Sequence, residues 1–211
     1  DGTVWAWGDN TYGQLGQGNR VSAKKPVQVQ NLTNIVSIAA GDNHAIAIDN
    51  LGNVYTWGLN SKGQLGNGTT QTVSIPEKIT GLDNQMVKIA AGGNLSAIID
   101  STGDVYVFGD NSKEQIEEFK YNYDQYGQKI MPPLNMYVSQ PVKVQTIENA
   151  VKVQCLQTGI VVLKTDESVV RTTKYASQTN AEKTIIADGE MVDISGTNES
   201  VVLLDKNGES Y

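Results

Sequence analysis

The single histidine, His44, is the residue on which most side-chain catalysis in this chain would depend. It lies in the run G-D-N-H-A-I-A-I. A Ser-His-Asp triad would have to use this imidazole, and no sequence feature directs a nucleophilic serine towards it. A zinc site would need several histidine or cysteine ligands, and the sequence contains one of each. We therefore predict a structural role for His44, no catalytic residue and no metal site.

The single cysteine, Cys155, excludes an internal disulfide framework. It lies in V-K-V-Q-C-L, a run typical of a β-strand. A cysteine inside a strand is usually a small buried apolar residue, whereas a reactive thiolate needs exposure and a nearby cation. We predict that Cys155 is buried and unreactive.

Two glycine-rich runs, G-Q-L-G-Q-G at 13–18 and G-Q-L-G-N-G at 63–68, resemble phosphate-binding loops. Neither ends in G-K-[ST], and neither precedes a predicted helix whose N-terminus could face a phosphate. The run D-K-N-G-E at 205–209 begins like a calcium loop but lacks the remaining ligand spacing. We predict no cofactor at these runs.

An internal repeat of about 50 residues accounts for the glycine-rich runs and for the position of His44. Gly2, Gly52 and Gly103 follow one another at intervals of 50 and 51 residues, and Pro76 follows Pro26 after 50 residues. These landmarks divide the chain into four predicted blade units, at 1–51, 52–102, 103–165 and 166–211.

Each unit is predicted to contain four short strands, because β-branched residues alternate with polar ones between glycine and asparagine joints. In the first unit the predicted strands are Val4–Trp7, Val27–Val29, Ile35–Ala40 and His44–Ile48. Pro26 and Pro76 are predicted to precede the second strand, where the missing N–H costs least. The aspartates at the joints are predicted to bond turn backbone: Asp1, Asp49, Asp110, Asp166 and Asp205.

The period and the four strands per unit are typical of a β-propeller blade, so the predicted fold class is all-β. One blade cannot bury both of its faces, and neighbouring blades must therefore stack into a single repeat domain. Tryptophan and tyrosine side chains are predicted to fill the space between blades. The fourth unit reads D-E-S-V-V at 166–170, without the glycine and the aromatics, and only its later strands are predicted.

The third unit is longer than the others, because about 14 residues are added between Ser112 and Ser139. We call residues 112–139 the insertion. A long loop on a rigid scaffold is a common location of function, and exposed tyrosine and methionine favour protein contact. Packing of the insertion on its own blade is the alternative, and a short helix is predicted at Glu114–Tyr121. The predicted partner-binding residues are Phe119, Tyr121, Tyr123, Tyr126, Met131, Met136 and Tyr137.

The runs D-G-x-V-W-x-W-G-x-N-x-x-G-Q-L-G, P-V-x-V and I-x-x-I-A-A-G-D-N-H-A-I-A-I resemble the repeat of the regulator of chromosome condensation family. The resemblance implies a β-propeller, usually of seven blades, of which this chain would hold about four. It is expected to be part of a longer propeller, and the remaining blades would then be one of its partners. The alternative is that four blades close or pair in a less usual way. Members of the family act as guanine-nucleotide exchange factors, chromatin binders, ubiquitin-ligase modules and inhibitors of secreted enzymes.

The formal net charge of −7 argues against nucleic-acid binding and against adhesion to anionic membranes. No apolar run approaches the roughly 20 residues of a spanning helix. We therefore expect a non-catalytic scaffold for an unidentified protein partner, without nucleic-acid binding or membrane insertion, in an extracellular or cell-surface setting. The alternatives are a nucleotide-exchange module for a small GTPase, a secreted enzyme inhibitor, and a propeller that binds or processes glycans.

Overall fold

The structure, a computed structural model, describes residues 2–117, 120–131, 133–174, 182–187, 189–197 and 199–211. Within these residues it contains β-strands and no helix, as the sequence predicts. The strands are β1 (Trp5–Gly8), β2 (Ala23–Gln28), β3 (Ile35–Ala40), β4 (His44–Asp49), β5 (Val54–Gly58), β6 (Val73–Lys78), β7 (Met86–Gly92), β8 (Leu95–Asp100), β9 (Val105–Asp110), β10 (Asn122–Tyr123), β11 (Lys129–Ile130), β12 (Tyr137–Lys143), β13 (Ala150–Leu156), β14 (Gly159–Lys164), β15 (Val169–Lys174), β16 (Glu182–Ala187), β17 (Met191–Gly196) and β18 (Val201–Asp205).

The strands form three antiparallel sheets of four strands each. The first sheet has the order β3-β4-β5-β6, the second β7-β8-β9-β12 and the third β13-β14-β15-β16. Three further sheets have two strands each: β1-β2, β10-β11 and β17-β18. Apart from the β10-β11 pair inside the insertion, strands follow one another across each sheet in chain order, so every connection within a sheet is a hairpin.

The sheets are offset by half a unit from the predicted blade units. The first sheet takes β3 and β4 from 1–51 and β5 and β6 from 52–102. The reason is the turn after β4, in which Gly52 adopts a φ of +83° and the chain folds straight back into β5. The periodic glycines therefore mark hairpin turns inside a sheet rather than borders between sheets.

Neighbouring sheets stack through their inner strands and share apolar cores. Strand β7 packs against β3 and β4, β13 against β7 and β8, and β17 against β13 and β14. In the core between the first and second sheets, Ile46 and Ile48 meet Ile98 and Phe108, all at most 1% exposed. Burial of each such side chain contributes about 1.5 to 3 kcal/mol to folding. The predicted stacking of neighbouring units is confirmed.

The repeat prolines do not begin their strands, which corrects the sequence prediction. Pro26, Pro76 and Pro141 each lie inside an outer strand, at β2, β6 and β12. In all three strands the pairing with the neighbouring strand is irregular at the proline. An edge strand tolerates proline there because the missing N–H interrupts no ladder on the outer side.

The predicted helix at Glu114–Tyr121 is wrong. The described residues 112–117 form a tight loop around Asn111, whose Oδ1 accepts the backbone N–H groups of Ile116 at 2.8 Å and Glu117 at 2.9 Å. Its Nδ2 donates to the Glu117 carbonyl at 2.9 Å. In a helix the Glu117 carbonyl would accept from the Tyr121 N–H, whereas here it accepts from Asn111. Glu114 also has a φ of +59°, outside the right-handed helical region.

The eroded fourth unit still supplies β15 and β16 to the third sheet. Glu167 takes the place of Gly52 in the preceding turn and adopts a φ of +63°. Lys164 takes the place of Asp49, and it pairs with Asp166 at 2.8 Å. The backbone path of the repeat thus persists where its sequence signature is lost. Among the described residues, no helix could cross a membrane.

Candidate protein-recognition surface

A buried asparagine organises each long loop after the strand that carries the repeat aromatic. Asn60 is fully buried; its Oδ1 accepts from the Leu65 N–H at 3.0 Å and its Nδ2 donates to the Thr69 carbonyl at 3.1 Å. Asn10 binds the Leu15 N–H and the Val21 carbonyl in the same way, at 2.9 and 3.1 Å. The glycine-rich runs are therefore closed loops around an amide.

One glycine in each of the first two long loops lies against an aromatic ring of the neighbouring sheet. A Cβ at Gly16 would lie 3.1 Å from Trp57 Nε1, and a Cβ at Gly66 would lie 2.7 Å from the Phe108 ring. Trp57 Nε1 also donates to the Gln14 carbonyl at 2.8 Å. These contacts support the interpretation of the glycine-rich runs as packing elements of the repeat.

His44 connects the first sheet to the second. It is 1% exposed, and its Nε2 lies 2.9 Å from Ser96 Oγ. Ser96 Oγ donates its only proton to the Gln64 carbonyl at 2.8 Å, so the imidazole must donate to Ser96. An imidazole that donates to a serine cannot act as the base that activates it.

Burial lowers the pKa of His44 to about 4, and the negative charge of Asp42 opposes this shift. The imidazole is therefore neutral at physiological pH. Its position between two sheets and its hydrogen bond to Ser96 support the predicted structural role.

The aspartates at the hairpin turns bond the turn backbone. Asp49 Oδ1 accepts from the Leu51 and Asn53 N–H groups, both at 2.9 Å. Its burial raises the carboxyl pKa, but the hydrogen bonds from Asn53, Leu51 and Tyr55 together outweigh that effect and hold the pKa below its usual value. Asp110, Asp166 and Asp205 likewise accept turn N–H groups. The prediction is confirmed for these four, and Asp1 lies outside the described residues.

Cys155 is fully buried between the second and third sheets. Burial raises the pKa of its thiol well above the ordinary value, so the thiolate is not populated at neutral pH. In the part of the chain that the structure describes, no group of three His, Cys, Asp or Glu side chains is placed to hold a metal ion.

The insertion has a firmly bonded base. Asn135 ties its two limbs together: its carbonyl accepts from Asn111 Nδ2 at 2.8 Å, and its Oδ1 accepts from the Lys120 N–H at 2.7 Å. Its Nδ2 donates to Glu117 Oε2 at 3.2 Å. The Leu134 N–H donates to the Lys120 carbonyl at 2.7 Å. The insertion therefore leaves the second sheet in a defined direction.

A short hairpin, β10 and β11, forms the tip of the insertion. Asp124 closes its turn, since its Oδ1 accepts from the Tyr126 and Gln128 N–H groups, both at 2.9 Å. Tyr123 pairs with Lys129 across the hairpin, and Lys129 Nζ lies 4.3 Å from the centroid of the Tyr121 ring. This cation–π contact fixes one aromatic face of the hairpin.

The predicted partner-binding residues divide into an exposed and a half-buried group. Tyr126 is 79% exposed, Met131 68%, Tyr123 58% and Tyr137 43%. Tyr121 and Met136 are half-buried, and Phe119 lies outside the described residues. The contact role of all seven stays a prediction.

The residue choice from sequence missed two exposed apolar side chains and one cation. Ile130 is 48% exposed and Leu134 60%, and Lys129 lies over Tyr121. Both apolar residues lie within the insertion. An aliphatic residue in an otherwise polar loop is the sequence feature that could have identified them. They lie in the same insertion as the exposed tyrosines and Met131.

Two sequence profiles, both described as "Regulator of chromosome condensation (RCC1) repeat", match the chain. One matches residues 1–48 and 52–99, the other residues 35–64 and 86–115. Together they cover residues 1–115, more than half of the chain, and end within the first residues of the insertion.

Two relatives are similar in sequence to about half of this chain. Human Protein RCC2 is 38% identical over 112 residues, which are 52% of this chain and 22% of that protein. Human E3 ubiquitin-protein ligase HERC2 is 36% identical over 119 residues, 55% of this chain and 2% of that protein. The chain thus spans about a fifth or less of these relatives.

Two solved structures match nearly the whole chain. Human WBSCR16 superposes with a TM-score of 0.78 and 19% identity, covering 99% of this chain and 56% of that one. Prp20p of Saccharomyces cerevisiae, described with its binding to Gsp1p and histones, superposes with a TM-score of 0.72 and 21% identity, covering 100% and 53%. Identities this low show the fold, and the predicted β-propeller architecture is confirmed.

Proposed function

The chain belongs to the regulator of chromosome condensation repeat family, and we propose that it is a non-catalytic protein-recognition module whose insertion contacts the partner. The observation that carries this proposal is the row of exposed tyrosine, methionine and aliphatic side chains on an insertion with a bonded base.

The chemistry of the tip suits a protein surface. Tyr123, Tyr126 and Met131 are of the residue types enriched at interfaces, because they bury much area with few rotatable bonds or adapt to an uneven surface. The Asn135 bonds order the base before binding. Less conformational entropy is then lost on association than with an unstructured loop.

The charge of the tip differs from that of the whole chain. Lys120 and Lys129 oppose Asp124 between residues 120 and 131, whereas the complete chain carries a net charge of −7. Apolar groups with little net charge predict an association that changes weakly with salt, unlike one driven by charge.

The comparisons support the general class of function. Prp20p is described as binding Gsp1p and histones, and HERC2 is a ubiquitin-protein ligase, so this repeat occurs in proteins that act on other proteins. Nucleotide exchange, enzyme inhibition and glycan binding remain alternatives, and the extracellular or cell-surface setting stays a prediction.

A loop exchange tests the proposal. Ser61 and Ser74 are the repeat equivalents of Ser112 and Ser139, so residues 113–138 can be replaced by the sequence of residues 62–73. We expect this variant to fold and to lose the proteins that the unaltered chain captures from an extract of its source organism. Equal capture by both would contradict the proposal.

Point variants provide the matched control. Tyr123, Tyr126 and Met131, each changed to Ser, should reduce capture of the same proteins at least 10-fold. Tyr12→Ser, which alters a tyrosine that is 37% exposed in the loop of the first unit, should leave capture unchanged. Nucleotide release from purified small GTPases tests the exchange alternative separately.

A further inference from the structure

An aspartate and a tyrosine pair across the hairpin turn that follows the second strand of a sheet. In the first sheet, Tyr55 Oη donates to Asp49 Oδ2 at 3.3 Å. In the second sheet, Tyr106 Oη donates to Asp100 Oδ2 at 3.4 Å. The turn after β18 repeats the pair at 3.3 Å. The tyrosine side chain therefore reaches from the third strand back to the aspartate at the end of the second.

The third sheet has other residues at both positions. Lys164 takes the place of Asp49, and Val170 takes the place of Tyr55. The backbone is equivalent, because the strands on either side of the turn pair in the same register in the two sheets. Valine has no ring, and a lysine ammonium offers no acceptor. The phenol ring and its hydrogen bond are thus both lost at this turn.

A cavity of about 220 Å³ lies where the ring would be. Lys164 and Val170 both line it, together with Ile147 of the loop that precedes β13. The equivalent of Ile147 in the first sheet is Leu32, and Tyr55 packs against the core cluster that contains Leu32. The cavity therefore has the same walls as the place that a tyrosine fills in the first sheet. A cavity of about 150 Å³ is large enough for benzene, so a phenol ring fits.

The inner wall of the cavity is apolar and its rim is polar. Ile147 is 1% exposed and Val170 5%. At the rim, Lys164 Nζ pairs with Asp166 at 2.8 Å, but this carboxylate is 59% exposed, and an ion pair in contact with water is weak. The ammonium has three N–H donors, so it can also donate to a ligand.

The polar rim favours a phenol over an aromatic acid. The exposed carboxylate of Glu148 also lines the cavity, and it would repel the negative charge of an acid. A phenol hydroxyl is neutral, and it both accepts and donates a hydrogen bond. It can therefore accept from Lys164 and donate to a carboxylate at the rim.

We propose that this cavity, between the loop at 145–149 and the turn after Lys164, binds a phenol ring. The ring belongs either to a tyrosine side chain of another protein or to a free small molecule. It takes the place of the lost tyrosine, and its hydroxyl accepts from Lys164 Nζ. In the first and second sheets, Tyr55 and Tyr106 already fill the equivalent place. This inference does not depend on the proposed role of the insertion.

Titration with p-cresol, which is the tyrosine side chain as a free molecule, tests the proposal through amide chemical shifts in NMR spectra. We expect saturable shifts at Ile147 and Val170, with a dissociation constant on the order of 1 mM, as is usual for a ligand of so few atoms. Toluene, which lacks the hydroxyl, should bind at least about 3-fold more weakly. N-acetyltyrosinamide separates the two sources: binding as tight as that of p-cresol assigns a tyrosine of a partner, and weaker binding assigns a free phenol.

Val170→Tyr restores the ring of the other sheets. It should weaken p-cresol binding at least about 10-fold and raise the melting temperature by about 2 °C or more, because its own ring fills the cavity. Val36→Tyr, at a valine of β3 that is 66% exposed, is the matched control and should change neither value.

Tyr106→Val is the converse variant, because it vacates the equivalent place in the second sheet. It should add a second p-cresol site, seen as new saturable shifts at Asp100. The hydroxyl of the ligand would there donate to the Asp100 carboxylate, as the hydroxyl of Tyr106 does in the unaltered protein.

Equal binding of p-cresol by the unaltered protein and by Val170→Tyr would overturn the proposal. Shifts that do not saturate at about 10 mM p-cresol, ten times the expected dissociation constant, would overturn it as well. If Val170→Tyr does not fold, Tyr106→Val still decides, because the lack of a second site would show that a vacated ring position takes no phenol.

Discussion

At the residue scale, two glutamates adopt a backbone conformation that the repeat reserves for glycine. Glu114 has a φ of +59°, where Gly13 and Gly63 have +79° and +71°. Glu167 has +63° at the position of Gly52. The left-handed conformation costs a residue with a Cβ about 1 to 2 kcal/mol. These positions show that the surrounding turn, rather than local preference, sets the backbone.

Replacing Glu114 by Gly should increase the free energy of unfolding by about 1 kcal/mol, because the steric cost of the Cβ is removed. Urea unfolding followed by circular dichroism measures the change. The reverse exchange, Gly63→Glu, should destabilise strongly, since a Cβ there would lie 2.7 Å from Ser139 Cα. A loss of stability in Glu114→Gly would show that the glutamate side chain makes a stronger contact than assumed.

His44 should make stability depend on pH. Its pKa is about 4 in the fold and 6.5 in the unfolded chain, so between these values the unfolded state binds the additional proton. The stabilisation is complete above pH 6.5 and falls as the pH drops towards 4, by about 3 kcal/mol in total.

Substitution of His44 by Leu, the residue that Leu95 supplies in the next unit, should remove this contribution. Unfolding free energies of both proteins at several pH values between 4 and 7 provide the measurement. The carboxylates titrate in both proteins, so only the difference between them reports on His44. A difference that does not change with pH would contradict the assignment.

At the element scale, contact between a loop glycine and an aromatic ring joins the β1-β2 sheet to the first sheet and the first sheet to the second. Gly66 has a φ of +66°, and a Cβ there would lie 2.7 Å from the Phe108 ring. Gly81 has a similar φ of +78°, but a Cβ there would have no atom within 4 Å. The two positions therefore separate backbone strain from packing between sheets.

Gly81→Ala should cost about 1 kcal/mol from backbone strain alone. Gly66→Ala should cost about 2 to 4 kcal/mol, because the added methyl group also displaces the buried ring. Chemical denaturation of the two variants gives the comparison. Equal losses would mean that the loop moves away from Phe108 without cost.

Much at this scale follows from sequence. Strand β3 lies at Ile35–Ala40 as predicted, and the other predicted strands of the first unit differ from β1, β2 and β4 by a few residues. The sequence did not reveal where one sheet ends and the next begins, since a periodic signal has no natural starting point. The sequence also did not predict that the prolines lie inside their strands. A strand tolerates them when it lies at the edge of a sheet, and that position depends on the tertiary structure.

The candidate sites were less predictable than the strands. The insertion and its exposed tyrosines could be inferred from length and composition, whereas the Asn135 bonds and the Tyr121–Lys129 contact depend on how two distant limbs meet.

At the scale of the whole molecule, equivalent aromatic residues differ in environment. Trp57 is 2% exposed and Phe108 fully buried, while Trp7 at the corresponding position is 63% exposed and Trp5 53%. The loop glycine that covers Trp57 and Phe108 has no counterpart over Trp7 among the described residues. The face of the β1-β2 sheet is therefore apolar and accessible.

A soluble quencher such as acrylamide should distinguish these tryptophans. Trp5 and Trp7 should be quenched readily and Trp57 hardly, giving a downward-curved quenching plot. Trp57→Phe should leave only the fluorescence of the accessible Trp5 and Trp7, so that the quenching plot becomes linear. A uniformly protected signal would show that the β1-β2 face is covered in solution.

The half-unit offset between sheets and repeats has a consequence for how such a chain can lengthen. Because each four-stranded sheet draws two strands from each of two successive repeats, a duplicated stretch of about 50 residues enters as two half-sheets that complete those on either side. Each added repeat is therefore hydrogen-bonded to the repeat before it and to the repeat after it. Genetic duplication can therefore begin at any residue of the period and still yield the same interlocked series.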